Sequence, residues 1–195
     1  MAADIKIGTY HMADRPNLYE PARSNAFRFI IPEQINNLKP AGLSENMVTE
    51  EDYLKGTQQT IELAVATSSI PHFTLDTIEI RRANSVMKFA GVPSFSDGKI
   101  TCNDYVGARV KDILLAWQAR CYDVTADVVN KAETYKFDCT LVEYDVDFSR
   151  IIRKWILKGC WIKSLTEGDF SHDDTGKRTI DVTFEYDRAI PQIVK

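Results

Sequence analysis

The chain has 195 residues, 24 Lys+Arg against 28 Asp+Glu, a formal net charge of −4, and 44% hydrophobic and 27% charged residues. This is too apolar for a disordered chain and too charged for a membrane protein, and the slight acidity argues against a dedicated nucleic-acid binder, which needs a basic surface for phosphate. At this length roughly 70% of the unfolded surface is buried on folding, so no disulfide or structural metal is required.

Residues 1–24 are polar, contain Pro16 and Pro21, and read as an N-terminal arm. They have no basic-then-apolar leader, and no run approaches the roughly 18 apolar residues of a membrane span. No membrane partner is expected, and the protein is expected to mature where it is made. Residues 25–195 read as a single β domain. Its first strand, Asn25–Ile31, sets Phe27, Phe29 and Ile31 against Ala26, Arg28 and Ile30, and Pro32 ends it. Residues 33–60 are polar, with Pro40, Gly42 and Gly56 and a short helix-compatible piece at Thr49–Leu54; they read as an inserted loop that either contacts a partner or is loose.

From Thr60 to Asp104 the pattern predicts strands. IELAVAT alternates, and FTLDTIEIRR and SVMKFAG flank the turn-prone Ala83-Asn84-Ser85, which predicts a long hairpin. Ile78 and Ile80 share one face with Thr77, Glu79 and Arg81 on the other; in the return arm Met87 and Phe89 oppose Lys88 and Ala90. A strand at Lys99–Cys102 follows. The helix Ala108–Cys121 then carries Val110, Ile113, Leu114, Trp117 and Cys121 along one apolar stripe. Further β segments are predicted at Lys136–Phe148, Ile151–Leu165 and Arg178–Ala189, separated by the turn-rich Glu167–Lys177. In the last strand Ile180, Val182, Phe184 and Tyr186 alternate with polar residues. The fold class is mainly β with one principal helix, a β-sandwich or barrel.

The sequence presents no catalytic, cofactor-binding or metal-ligating set. Neither glycine-rich phosphate loop nor a Gly-x-Ser-x-Gly elbow is present. The four cysteines, Cys102, Cys121, Cys139 and Cys160, lack the close spacing of a zinc knuckle or redox motif and read as reduced core thiols. His172 with Asp169, Asp173 and Asp174 has the composition of a solvated turn; the rival reading is a metal or acid–base site. Arg150, Arg153, Lys154 and Lys158 surround Trp155, as a half-exposed strand or a nucleic-acid patch would; Trp155 and Trp161 read as core or interface anchors.

Arg150–Leu165 (RIIRKWILKGCWIKSL), Asp169-Phe170 and Thr179–Asp187 (TIDVTFEYD) together resemble the tail tube proteins of contractile-tailed bacteriophages. Gly159, Trp161, Asp169, Val182, Thr183, Phe184, Tyr186 and Asp187 stand at the family's positions, and Arg15-Pro16-Asn17-Leu18, the hairpin and the Trp117 helix extend the resemblance backward. Many members have Trp-Pro where this chain has Trp161-Ile162. The resemblance implies a non-enzymatic virion protein without cofactors, assembled in the host cytoplasm. Its hexameric rings would stack into a tube that passes DNA during ejection, and its partners would be itself, the tail sheath and the baseplate. The hairpins would join into an oligomeric barrel, with Ile78, Ile80, Met87 and Phe89 at the subunit interface and Thr77, Glu79, Arg81 and Lys88 facing the lumen. The 33–60 insertion leaves room for a tube-initiating baseplate ring or the inner tube of a phage-tail-like injection system. A monomeric ligand-binding β-barrel is the rival outside this group.

Overall fold

Alternating apolar residues build two half-sheets that share one long strand. The computed structural model describes residues 21–37, 57–105, 110–168 and 176–193. In chain order these form β1 (Phe27–Ile30), a 3-10 turn (Glu33–Asn37), α1 (Thr57–Ala64), β2 (Val65–Ser68), β3 (Phe73–Arg82), β4 (Ser85–Phe95), β5 (Gly98–Asn103) and α2 (Val110–Cys121). Then follow β6 (Tyr122–Asp123), β7 (Val128–Val129), α3 (Ala132–Tyr135), β8 (Phe137–Tyr144), β9 (Ile151–Glu167), β10 (Thr179–Glu185) and β11 (Arg188–Ile193).

The seven-stranded sheet runs β1-β8-β9-β10-β5-β2, with β11 also on β9. All of these pairings are antiparallel. Strand β9 changes partner along its length: Arg153–Lys158 pair with β11, and Trp161–Glu167 with β10. Between them Gly159 takes φ +67, a left-handed conformation that L side chains rarely adopt. The sheet therefore turns a corner there, and its two halves face each other. Phe29 of β1 meets Phe184 of β10 across the core, ring centroids 5.3 Å apart. Phe29, Ile61, Ile100, Leu114, Trp117, Leu141, Leu157, Ile162, Ile180, Val182 and Phe184 belong to one buried cluster.

Helix α2 seals this core with the stripe read from its sequence: Val110, Ile113, Leu114 and Trp117 are buried. Trp117 Nε1 donates to the Tyr135 carbonyl (3.0 Å), tying α2 to α3. Cys102, Cys139 and Cys160 are buried free thiols, as expected, whereas Cys121 at the helix end is only half-buried.

Three expectations change. Thr60–Ala64 is the end of α1, not the start of a strand. Ile61 and Ala64 are both fully buried while Leu63 is 76% exposed, so burial follows a helical spacing that the apparent alternation of IELAV conceals. The predicted strand Arg178–Ala189 is two strands, because the chain opposite the Gly159 corner must break at Tyr186-Asp187. The stretch 33–37 is a 3-10 turn whose Ile35 is wholly buried. The helix expected at Thr49–Leu54 lies outside the described residues, as do most of the N-terminal arm and the Asp169–Asp174 cluster.

Candidate assembly surface

The hairpin β3–β4 is a two-stranded sheet separate from the main one. Ala83 occupies its two-residue turn with φ 52, and Ser85 Oγ donates to the Arg82 carbonyl (3.0 Å). Its register pairs Ile78 with Phe89, Ile80 with Met87, Glu79 with Lys88, Thr77 with Ala90 and Arg81 with Val86. Opposed residues share a face, so the sequence-predicted residues fall into two groups. Ile78, Ile80, Met87 and Phe89 make one apolar patch, and Thr77, Glu79, Arg81 and Lys88 lie on the reverse. Lys88 Nζ sits 3.2 Å from Glu79, an exposed pair of little energetic weight.

Among the described residues nothing covers the apolar patch. Ile78, Ile80, Met87 and Phe89 keep 44–53% of their surface, against 0–8% for the core residues. Alternating exposed apolar residues on an isolated two-stranded ribbon are unusual, because such a ribbon is marginal in water without a surface to rest on.

At the hairpin base the apolar residues lie on the other face, where Phe73 and Leu75 stay as exposed as the tip residues and Phe95 alone packs on the core. There Phe73 pairs with Phe95 and Leu75 with Pro93, all on the reverse face. Phe95 packs against Phe73 (5.7 Å) and Tyr186 (6.1 Å), joining the hairpin to the core. Ser96 fastens the entry: its N–H and its hydroxyl both lie within hydrogen-bond distance of the His72 carbonyl (3.2 and 3.1 Å). The apolar surface thus changes face between base and tip. The slip is visible in β3 as the three-residue gap from Leu75 to Ile78, and sequence reasoning passed over it.

The C-terminal residues singled out by sequence gather around the corner of β9. Val182, Phe184 and Tyr186 are buried, Phe184 lying over Gly98 so closely that a Cβ there would overlap its ring. Thr183 and Trp161 are half-buried, and Trp161 meets Tyr135 edge-on at 6.2 Å. Asp187 lies against Gly159, where any Cβ would strike its carboxylate, and its N–H donates to the Lys158 carbonyl (2.9 Å). Lys136 Nζ reaches both Asp187 oxygens (2.7 and 2.9 Å), and this carboxylate raises the Lys136 pKa. On the other side Asp138 accepts from Lys158 and from the Gly159 N–H (3.1 Å); Lys158 first and that N–H second hold it below the usual carboxylate range. These residues build the corner, and Asp169 lies outside the described residues.

Three of the four basic residues around Trp155 face acids: Arg153 with Glu143 (3.4 Å), Arg150 with Asp145 (3.6 Å) and Lys158 with Asp138. Those three pairings offset most of the run's charge, which weakens it as a site for a phosphate backbone. Beside it a cleft of about 190 Å³ opens among Phe27, Ile70, Leu141 and Trp155, with Arg23 and Glu143 at its wall. Small-molecule pockets run from about 300 to 1,000 Å³. Among the described residues no group of three or more His, Cys, Asp or Glu is arranged to hold a metal ion, and no helix is long and apolar enough to cross a membrane.

Solved structures share this fold over 89–97% of the chain. A chain of the sheath–tube complex of an extracellular contractile injection system (PVC), in its extended state, aligns with TM-score 0.61 and 16% identity, over 97% of this chain and 100% of its own. The sheath/tube terminator of that system aligns with TM-score 0.61 and 16% identity, over 90% and 99%. The tube-terminating cap of the anti-feeding prophage aligns with TM-score 0.60 and 15% identity, over 89% and 92%. The chain has the fold of contractile-tube proteins. No family model matches it, and neither does any curated protein sequence. The tail-tube fold implied by the C-terminal residues is therefore the fold observed, mainly β with α2 as the principal helix.

Proposed function

We propose that the chain is a structural, non-enzymatic subunit of a contractile tail or injection tube, in which copies join through β3–β4 into hexameric rings that stack into a conduit. The carrying observation is the hairpin tip, which has a regular strand pairing and a contiguous apolar face that the described residues leave uncovered. Closing such hairpins into one barrel buries that face and removes the free edges of the ribbon. The polar reverse face, with Thr77, Glu79, Arg81 and Lys88, then lines the lumen. The surrounding partners are sheath and baseplate, and the cargo is DNA if the assembly is a virion tail or an effector if it is an injection device.

A second reading, a ring that starts or ends the tube, is favoured by the terminator and cap folds, which fit this chain as well as the sheath–tube component does. Electron microscopy of the purified protein, with solution mass measured over a concentration series, tests both. Stacked tubes of uniform bore support the tube subunit, and single rings support the terminal ring. A monomer at all concentrations, remaining so when mixed with preassembled tubes, overturns both.

A further inference from the structure

The hairpin has to satisfy two surfaces with one pair of strands. Its base is held to its own core through Phe95 and the His72–Ser96 contacts, while its tip presents the opposite face outward. Between the two lies a single irregularity. Leu75 pairs with Pro93 and Thr77 with Ala90, so Asp76 alone stands opposite two residues, Gly91 and Val92. This is a β-bulge, which bends its strand and tightens the local twist. It is built with a residue that fits: a Cβ on Gly91 would lie 2.9 Å from the Asp76 carbonyl oxygen, closer than the backbone there allows. The extra residue contributes little packing of its own, Val92 being 72% exposed.

We propose that the Asp76/Gly91–Val92 bulge is the aiming element of the assembly surface, setting the angle at which Ile78, Ile80, Met87 and Phe89 meet a second copy of the chain; this rests on the assembly reading above. Gly91 is then a positioning residue that touches no partner itself. The register gives a clean way to separate aim from contact. Removing Val92 lets Gly91 pair with Asp76 and preserves every other pair, from Phe73 with Phe95 to Arg82 with Ser85. The deletion keeps the turn and both faces and removes only the bend.

The test compares wild type, the Val92 deletion and Val92→Ser. Sedimentation reads assembly, thermal unfolding reads the body, and spin-label distances from Asn84 to a body site on β8 read the aim of the tip. The deletion is expected to unfold like wild type, to shift the tip-to-body distance, and to need roughly tenfold or more protein for half-assembly, a change of about 1.4 kcal/mol. Val92→Ser, which keeps the bulge, is expected to assemble like wild type. Assembly of the deletion at wild-type concentrations overturns the proposal, as does equal loss in Val92→Ser, which would make Val92 a contact. If wild type itself never assembles, the assembly reading fails separately, and an unmoved tip in the deletion still overturns the aiming role.

Discussion

Placing a carboxylate in the tip patch, by Ile80→Asp, tests whether that patch is a seam. Ile80 retains 51% of its surface in the isolated chain. Fully burying such a side chain contributes about 1.5–3 kcal/mol, so covering the remaining half is worth about 1 kcal/mol per residue, and the four tip residues together about 4 kcal/mol per face. The substitution removes one such share and leaves an ionised group with no facing cation, a cost of several kcal/mol if the seam is dry. A net loss of about 3 kcal/mol per contact follows, roughly a hundredfold weaker association. The body should be nearly indifferent. The position lies outside the buried cluster, and the low strand preference of Asp costs at most about 1 kcal/mol within the hairpin. Sedimentation velocity over a concentration series reads assembly, with far-ultraviolet circular dichroism and thermal unfolding as the control for folding. Ile80→Val is expected to assemble. If Ile80→Asp forms rings at wild-type concentrations, the patch is not the seam and the hairpin argument fails.

Other outcomes follow from the same geometry. Gly159→Ala combines a strained φ with overlap against Asp187 and is expected to lower unfolding stability by about 2–4 kcal/mol, part of it recovered in the double variant with Asp187→Ala; a loss under about 0.5 kcal/mol in denaturant titration contradicts the corner account. Burial pushes the Cys102 thiol from its ordinary 9.0 up to about 12, with Asp181 adding to the rise. The unfolded chain therefore releases this proton between those values while the folded chain keeps it, so stability falls as pH rises, by about 1.4 kcal/mol per unit. In denaturant midpoints across pH 9–11, Cys102→Ala flattens that slope whatever it does to the baseline. Ala83→Gly relieves a left-handed turn residue and is expected to slow hydrogen exchange of hairpin amides several-fold, about 1 kcal/mol, with core amides unchanged.

What could be read from the sequence was whatever repeats locally. The alternation in 73–82 and 85–91 gave the hairpin and both tip faces, and the stripe Val110, Ile113, Leu114 and Trp117 gave α2, because each period is fixed by one backbone geometry. Helix α1 was missed because Ile61 to Val65 also alternates; only burial of Ile61 and Ala64, the Gln58–Glu62 bond (3.1 Å) and the Arg28–Glu62 ion pair (3.2 Å) to β1 decide for a helix. Those are tertiary facts. Residues 122–135 have no clear period and form the small β6–β7 ribbon and one turn of helix. The C-terminal motif was legible as residues but not as a job. Gly159 and Asp187 stand far apart in the chain, and only the pairing of β9 with β10 and β11 brings them together.

Two glycines mark the places where one strand system must serve two surfaces. Gly159 lets β9 leave β11 for β10, with a positive φ and a carboxylate where a Cβ would be. Gly91 lets the hairpin leave its own core for the solvent, with the Asp76 carbonyl where a Cβ would be. The two sites differ in what completes them. Around Gly159 every consequence is satisfied within the chain, since Asp138 takes its N–H, Asp187 fills the space and Lys136 neutralises Asp187. Beyond Gly91 the four tip side chains remain open. Damage at the first site should therefore appear in the unfolding of the body, and damage at the second in the aim of the hairpin and in association. A Gly91→Ala variant with an unchanged melting temperature and lost assembly, beside a Gly159→Ala variant with a lowered melting temperature, is the pattern this division of roles requires.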